Sequence, residues 1–452
     1  MANRTTDYLI IGNSAAGVTA AEYLRARDEE GSILVVSREP HAVYGRPLIS
    51  YLLEGKTTEE GMGFKDVDFY ERNAIDTLLG PSFEVVALRA SAHEAELANG
   101  DVVSYGKCLV ATGSVPFTPP IKGLEGKENV HTFLSLDDGL GVWRAALAAT
   151  ERAHAEERKS RAVVIGGGLI GLKAAEALSH HVDDVVVLEL APRILPAVLD
   201  DQGAAVLLDL LDKRGISCLT DTSADELRGV GDKVDSLLLT SGEELPCDLV
   251  VAAVGVRPNS QLAVDAGAEQ GRGLVCGTDL QTSLPDVYAA GDVTQVTDLL
   301  DGSRHPLALW PNAMRQGKAA GLHMAGADDA EPYLGSFAVN AVDFFDISLL
   351  TAGVINPPEE GGYDVRTVAE GSVYAKFVTK DDRLVGYILL NRPANAGIYT
   401  ALIEQRVPLS SLTGDLFADA PLNLDFPADV RWARLHKCYP ADRDARGWKE
   451  QV

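Results

Sequence analysis

At 452 residues, with 46% apolar and 23% charged residues and a formal net charge of −26, the chain exceeds one compact core and is composed like a soluble globular protein. The negative charge excludes nucleic acid, whose phosphates would be repelled; it suits a basic partner or plain solubility, and solubility is the simpler reading. No apolar run approaches the roughly 20 residues that span a bilayer.

The first predicted strand begins at about Asp7 with no signal-peptide pattern ahead of it, and runs to Ile11. It meets a glycine turn at Gly12. An alanine-rich helical pattern then extends to about Arg27, and Ser32–Val36 reads as a second strand. Strand, turn, helix and strand in that order form a βαβ unit and imply a parallel sheet. Leu109–Gly113 is a further strand, and Pro116–Gly126, rich in proline and glycine, is a connection. The charged segment Glu151–Ser160 marks a domain boundary. After it, Ala162–Ile165, a helix from about Leu169, and Val185–Leu188 repeat the βαβ unit. Leu249–Val254 and Val287–Ala290 are late strands, the second closing on Gly291 and Asp292. Beyond about Ala330, mixed strands such as Val373–Val378 and Leu384–Leu390 predict a third, α+β domain. The tail after Leu412 is proline-dotted, weakly patterned and given no fold.

The five cysteines, Cys108, Cys218, Cys247, Cys276 and Cys438, are odd in number and far apart. They form no C-x-x-C, zinc or iron–sulfur spacing, so no metal site is expected. Each reads as a small buried apolar residue in a protein of the reducing cytoplasm.

Two turns carry chemistry. A dinucleotide's pyrophosphate needs backbone N–H groups at a helix N-terminus with no side chain in between. Gly166-Gly-Gly168-Leu169-Ile170-Gly171 is a full G-x-G-x-x-G between strand and helix. Glu189 ends the next strand 23 positions after Gly166, close to the roughly 20 expected for the carboxylate that receives the ribose hydroxyls. That carboxylate would repel a 2′-phosphate, which favours NAD(H) over NADP(H); Arg193 is the nearby feature that would suit NADP(H). The first turn, Gly12-Asn-Ser14-Ala15-Ala16-Gly17, departs from the fingerprint because serine replaces the middle glycine. Glu39, just past the second strand, is its candidate ribose ligand, or else a solvated turn carboxylate.

Together with "LVATGSVP" at 109–116, "AAVGVRPN" at 252–259, "VYAAGDV" at 287–293 and "LWPNAMRQGKAAG" at 309–321, these turns resemble the pyridine nucleotide-disulfide oxidoreductase superfamily. "EPHAVYGRPLISYLLEGK" at 39–56 is most similar to NADH:rubredoxin and ferredoxin reductases and nitrite-reductase flavin modules. The resemblance implies an α/β fold with two Rossmann-like dinucleotide-binding domains, for FAD and NAD, plus a C-terminal α+β interface domain. The first FAD part would be 1–158, the NAD domain 159–279, the second FAD part 280–330, and the interface domain with its tail 331–452. It implies FAD against Gly12, Ser14, Ala15, Ala16, Gly17, Glu39, Arg46 and Pro47. Ala111, Thr112, Gly113, Gly291, Asp292 and Trp310 would complete that site. NADH would lie against Gly166, Gly168, Leu169, Ile170, Gly171, Glu189 and Gly255. Asp292 would face the flavin ribityl or phosphate; its competing reading is a turn aspartate.

Relatives with thiol chemistry need a cysteine in the loop that here spans Val43–Glu54, and none is present. Their C-terminal His-Pro dyad is missing too, since His305-Pro306 lies elsewhere. The resemblance therefore implies an FAD-dependent NADH:acceptor oxidoreductase, an electron-transfer flavoprotein. Its acceptor would be an iron–sulfur or rubredoxin-like carrier, or the subunits of an aldehyde or 2-oxoacid oxidoreductase complex. The rivals are an NADH oxidase or quinone reductase, and a non-catalytic assembly subunit. The interface domain would pair subunits into a homodimer or dock the chain in a larger complex.

One departure concerns chemistry directly. In many relatives the helix after the second turn carries a glutamate facing the nicotinamide and flavin N5, paired with a lysine after the serine of the "RPxLS" loop. Here "GLIGLK" places Lys173 in the first position and Tyr51 in the second. Lys173 is then either a cation near flavin N5, with Tyr51 beside it, or a helix-surface lysine.

Overall fold

The computed structural model describes residues 3–414, 417 and 422–437. It divides into two compact units, Met1–Pro196 with Leu207–Ala338, and Ala197–Val206 with Val339–Val452.

The two largest sheets of the first unit position the site. In the larger, strands run in the order Ile75–Leu79, Ile33–Ser37, Asn3–Ile11, Val102–Val110, Glu94–Leu97, Val85–Arg89, and Val287–Ala289 also pairs with Val102–Val110. Its central pairings are parallel, and the last two strands in that order fold back antiparallel. The second sheet is parallel throughout: Ile216–Leu219, Asp184–Leu188, Arg161–Ile165, Leu249–Ala252 and Val130–His131. Runs such as Val163-Val164-Ile165 are buried on both faces, which is why they read as continuous apolar segments without alternation. Val130–His131, which precedes the charged boundary segment, pairs with Leu249–Ala252 in this sheet.

Helix Ala15–Arg25 leaves the first sheet at Gly12 and lies along helix Trp310–Met324. The contact is close enough that a Cβ on Gly317 would stand 2.3 Å from the Ala16 carbonyl oxygen. A 20-residue helix, Leu136–Ala155, opens with a capping box in which Ser135 and Asp138 exchange hydrogen bonds. Its last turn occupies the first half of Glu151–Ser160. An antiparallel ribbon, Ser114–Pro116 with Val256–Pro258, ties the strand end after Val110 to the strand end after Ala252. The two "GxxP" motifs of the sequence are thus partners in space.

The second unit is a five-stranded antiparallel sheet, in the order Val339–Phe344, Ile347–Gly353, Arg383–Leu390, Val373–Lys380, Asp364–Glu370. Helix Ala396–Glu404 covers it, with Tyr399 packed on Phe377 and Tyr387 at ring separations of 5.1 and 5.7 Å. Every residue of edge strand Asp364–Glu370 is exposed. Among the described residues no helix is long and apolar enough to cross a membrane.

Candidate functional site

Gly12 takes φ +124°, a conformation that side chains rarely adopt, and a Cβ there would lie 2.1 Å from the Ala111 carbonyl oxygen. This approach sets the first turn against the segment Ala111-Thr112-Gly113. Thr112 Oγ1 in turn donates to the Asn259 carbonyl at 2.7 Å. Ser14 is the N-cap of helix Ala15–Arg25, yet its side chain makes no capping hydrogen bond. It accepts one from Arg46 Nε at 3.3 Å.

Arg46 gathers the site. Its Nη1 donates to the Leu134 carbonyl at 3.2 Å, and its Nη2 pairs with Glu39. The Tyr44 hydroxyl donates to the other Glu39 oxygen at 2.7 Å and accepts from the Leu136 N–H at 2.9 Å. Burial pushes the Tyr44 phenol up, so it stays a donor. Glu39, Arg46 and Ser14 therefore converge, and Glu39 is held by two side chains rather than standing free. Pro47 sits in the helical turn Arg46–Leu48.

Asp292 lies at the end of the strand after Val287. Its Oδ2 accepts from Ser114 Oγ at 3.0 Å. Burial pushes its pKa up, against the opposing pull of Ser114 and Arg46. The neighbouring Gly291, at φ +86°, donates its N–H to Gln316 Oε1 at 2.7 Å. Trp310 opens its helix and meets Phe64 edge-on at 5.0 Å. A half-buried carboxyl with one side-chain donor, Ser114, and an arginine near enough to favour its charge fits a ligand rich in hydroxyls and phosphate.

At the second turn, a Cβ on Gly166 would stand 2.4 Å from the Ala253 carbonyl, and one on Gly171 would stand 1.9 Å from the Gly166 carbonyl. Both glycines are required by the packing of strand on helix. Gly168 differs: a Cβ there meets nothing within 4 Å. That open space lies at the N-cap of helix Leu169–Leu178, where backbone N–H groups await an anion. Glu189 Oε2 accepts from the Gly167 N–H and Oε1 from the Ala191 N–H, each at 2.7 Å. Each oxygen retains a further lone pair, so the carboxylate is oriented without being used up. Ile170 and Gly255 line one recess with Pro116, Phe133 and Leu134, and Leu134 is the residue whose carbonyl accepts from Arg46.

Lys173 is not a surface residue. It is 9% exposed, and its Nζ lies 2.5 Å from Glu176 Oε2 and 3.3 Å from Glu54 Oε1. It stands 4.9 Å from the Tyr51 ring centroid, and Lys56 flanks the same ring at 5.4 Å. Lys56 also pairs with the fully buried Glu54. Sequence reasoning paired Lys173 with Tyr51 but missed the two carboxylates. Glu176 had a signal, since it lies three residues on in an alanine-rich helix. Glu54 had none, being 119 positions away.

None of the four described thiols suits redox work. Burial pushes Cys108 far up and holds Cys218, Cys247 and Cys276 at about 12. Cys438 lies outside the described residues. Treating the native protein with iodoacetamide near neutral pH is expected to leave NADH-to-dye electron transfer within about twofold of untreated protein, because thiolate is scarce. Stoichiometric inactivation at one cysteine, prevented by prior oxidation of the flavin, would reinstate thiol chemistry.

Residues 6–317 match the family described as pyridine nucleotide-disulphide oxidoreductase. The chain belongs to this family. It is an FAD-dependent NAD(P)H oxidoreductase whose cofactors are FAD and NADH. It is 31% identical over 417 residues to the NADH-dependent phenylglyoxylate dehydrogenase subunit epsilon of Aromatoleum evansii, covering 92% of this chain and 95% of that one. It is 30% identical over 428 residues to putidaredoxin reductase of Pseudomonas putida, covering 91% and 95%. Among solved structures, the covalent putidaredoxin reductase–putidaredoxin complex matches with a TM-score of 0.80 at 26% identity, over 95% of this chain and 98% of that one. The family fits the site: Gly168 leaves open the space that a pyrophosphate takes, and Asp292 and Arg46 flank the first turn.

Proposed function

We propose that the chain is an electron-transfer subunit linking NAD(H) to a protein partner, either an iron–sulfur or rubredoxin-like carrier or the subunits of a 2-oxoacid oxidoreductase complex. The observation that carries the reading is a cysteine-free loop, Val43–Glu54, that touches both dinucleotide turns' elements: its Arg46 bonds Ser14 of the first turn, and its Glu54 bonds Lys173 on the helix after the second. Bound FAD supplies the conversion of a two-electron hydride into single electrons. The residues of this chain do the rest. Gly12–Gly17 and Arg46 hold phosphate, and Glu39 and Glu189 orient the two riboses.

The likeness to a phenylglyoxylate dehydrogenase subunit, nearly end to end, supports the 2-oxoacid branch, since phenylglyoxylate is a 2-oxoacid. In that setting electrons run toward NAD. The exposed edge strand Asp364–Glu370 supports a docking role for the C-terminal domain, because its backbone groups are open to a further strand. Purification of the tagged chain from its native cells without oxygen tests the reading. Co-elution of an iron–sulfur protein that exchanges electrons with the flavin is expected. A chain that elutes alone, and whose reduced flavin reacts with air faster than with any iron–sulfur protein of the extract, contradicts it.

Lys173 and Tyr51 take the catalytic positions in this reading. Lys173 brings a cation from the helix that follows the NAD turn, and the Tyr51 ring lies against it. Glu189 sets nucleotide choice. Glu189→Arg is expected to cut the preference for NADH over NADPH by roughly tenfold or more, about 1.4 kcal/mol. The check is the ratio of flavin reduction rates with the two nucleotides. Equal rates in the unaltered protein would remove Glu189 from that role.

A further inference from the structure

The amino-terminal edge of the second parallel sheet carries a feature that dinucleotide chemistry does not use. Arg161 and Asp184 start two adjacent strands, and Asp248 immediately precedes a third. They lie at the opposite end of the sheet from Gly166 and Glu189. Around them opens a pocket of about 430 Å³. In a chain of net charge −26, this pocket presents five cations, Arg152, Arg158, Lys159, Arg161 and Lys233. Only three carboxylates share its lining: Asp184, Asp235 and Asp248.

The cations are not all spent on those carboxylates. Asp248, whose side chain is 6% exposed, is the anchor. It takes both Nη atoms of Arg158, at 2.8 and 2.7 Å, and the Arg161 N–H at 3.0 Å. That exhausts Arg158, whose Nε is held by Glu156 at 2.8 Å. The others are held loosely. Arg152 reaches Asp248 at 3.5 Å, and Lys159 and Arg161 reach Asp184 at 3.5 and 3.3 Å. Lys233 has no ion pair among the described residues. Arg161 Nε is sealed from solvent with no hydrogen-bond partner. The side chain as a whole is 34% exposed, so the remainder of the guanidinium lines the pocket.

We propose that this pocket binds a small multivalent phosphate anion, a nucleoside diphosphate or a free oligophosphate, through Arg161, Arg152, Lys159 and Lys233. Guanidinium forks match phosphate oxygens, and several phosphate charges are needed to compete with the three aspartates already present. The volume lies within the roughly 300–1,000 Å³ range of small-molecule sites. Val234, Pro246 and Cys247 give it an apolar wall suited to a base. The strands between this edge and the Gly166 turn are five residues long, about 17 Å at 3.3 Å per residue, so anion and NAD(H) bind at once.

Calorimetric titration of the FAD-loaded full chain tests this, with saturating NAD⁺ filling the Gly168 turn and tripolyphosphate or ADP as the probe. One site per chain is expected, with a dissociation constant below about 1 mM at low salt, weakening as salt is added. The double variant Lys159→Ala, Lys233→Ala removes only exposed side chains, and is expected to weaken binding roughly tenfold or more. Tighter binding of ADP than of tripolyphosphate identifies a nucleotide; the reverse order identifies a free oligophosphate. Absence of saturable binding, displacement by NAD⁺, or an unchanged affinity in the double variant would overturn the proposal.

Discussion

Gly168→Val is expected to abolish NADH binding while leaving FAD content and thermal stability as they are. The residue has φ −80° and ψ −178°, an extended conformation that valine adopts readily, and its Cβ direction meets nothing within 4 Å. The added methyl groups would therefore cost the fold little. They would stand where the pyrophosphate must approach the backbone N–H groups of the helix N-terminus. A rise in the NADH dissociation constant of at least about 100-fold is expected, about 2.8 kcal/mol, read by fluorescence titration. Gly171→Ala is the contrasting control. Its Cβ would fall 1.9 Å from the Gly166 carbonyl, so the NAD domain itself should be lost. Unchanged NADH affinity in the valine variant would separate this turn from the nucleotide.

The second large effect belongs to Lys173. Lys173→Met leaves Glu54 and Glu176 buried, with side chains 0% and 1% exposed, and takes from them the cation they share. Removing one partner from a buried ion pair typically costs about 3–5 kcal/mol, because the remaining charge is uncompensated. Thermal unfolding should show that loss, and Glu176→Gln added to Lys173→Met should recover part of it. A merely structural lysine would stop there. The proposed role also demands a fall in flavin potential and slower reduction by NADH, larger for Lys173→Glu than for Lys173→Met. A folded Lys173→Met protein with unaltered potential and reduction rate would leave the residue a structural one.

The parts of the site that sequence made legible are local ones. Strand, glycine turn and helix lie within twenty residues of each other, and Gly12 and Gly166 announce a backbone conformation that other residues avoid. The distant pairings were not legible. Arg46 meets Leu134 across 88 positions and Lys173 meets Glu54 across 119, and no periodicity encodes either contact. Helix Leu136–Ala155 went unread because its apolar face is built largely from alanine and glycine, which gives a weak 3.6-residue signal. Its capping box, Ser135 with Asp138, was visible in retrospect. The basic pocket was hidden for another reason: its cations come from three separate stretches of chain and look scattered in a sequence that is acidic as a whole.

The central claim is that the flavin exchanges electrons with NAD(H) on one side and with a protein on the other, and not with a thiol or with air. Anaerobic titration of the purified, FAD-loaded chain with NADH, followed by the visible absorbance band of oxidised flavin, tests it most directly. Loss of the flavin band at one NADH per FAD is expected, followed by recovery that is slow in air and fast on adding an iron–sulfur or rubredoxin-like acceptor. A flavin band that NADH does not diminish, or one that air restores as quickly as any protein acceptor, would contradict the account.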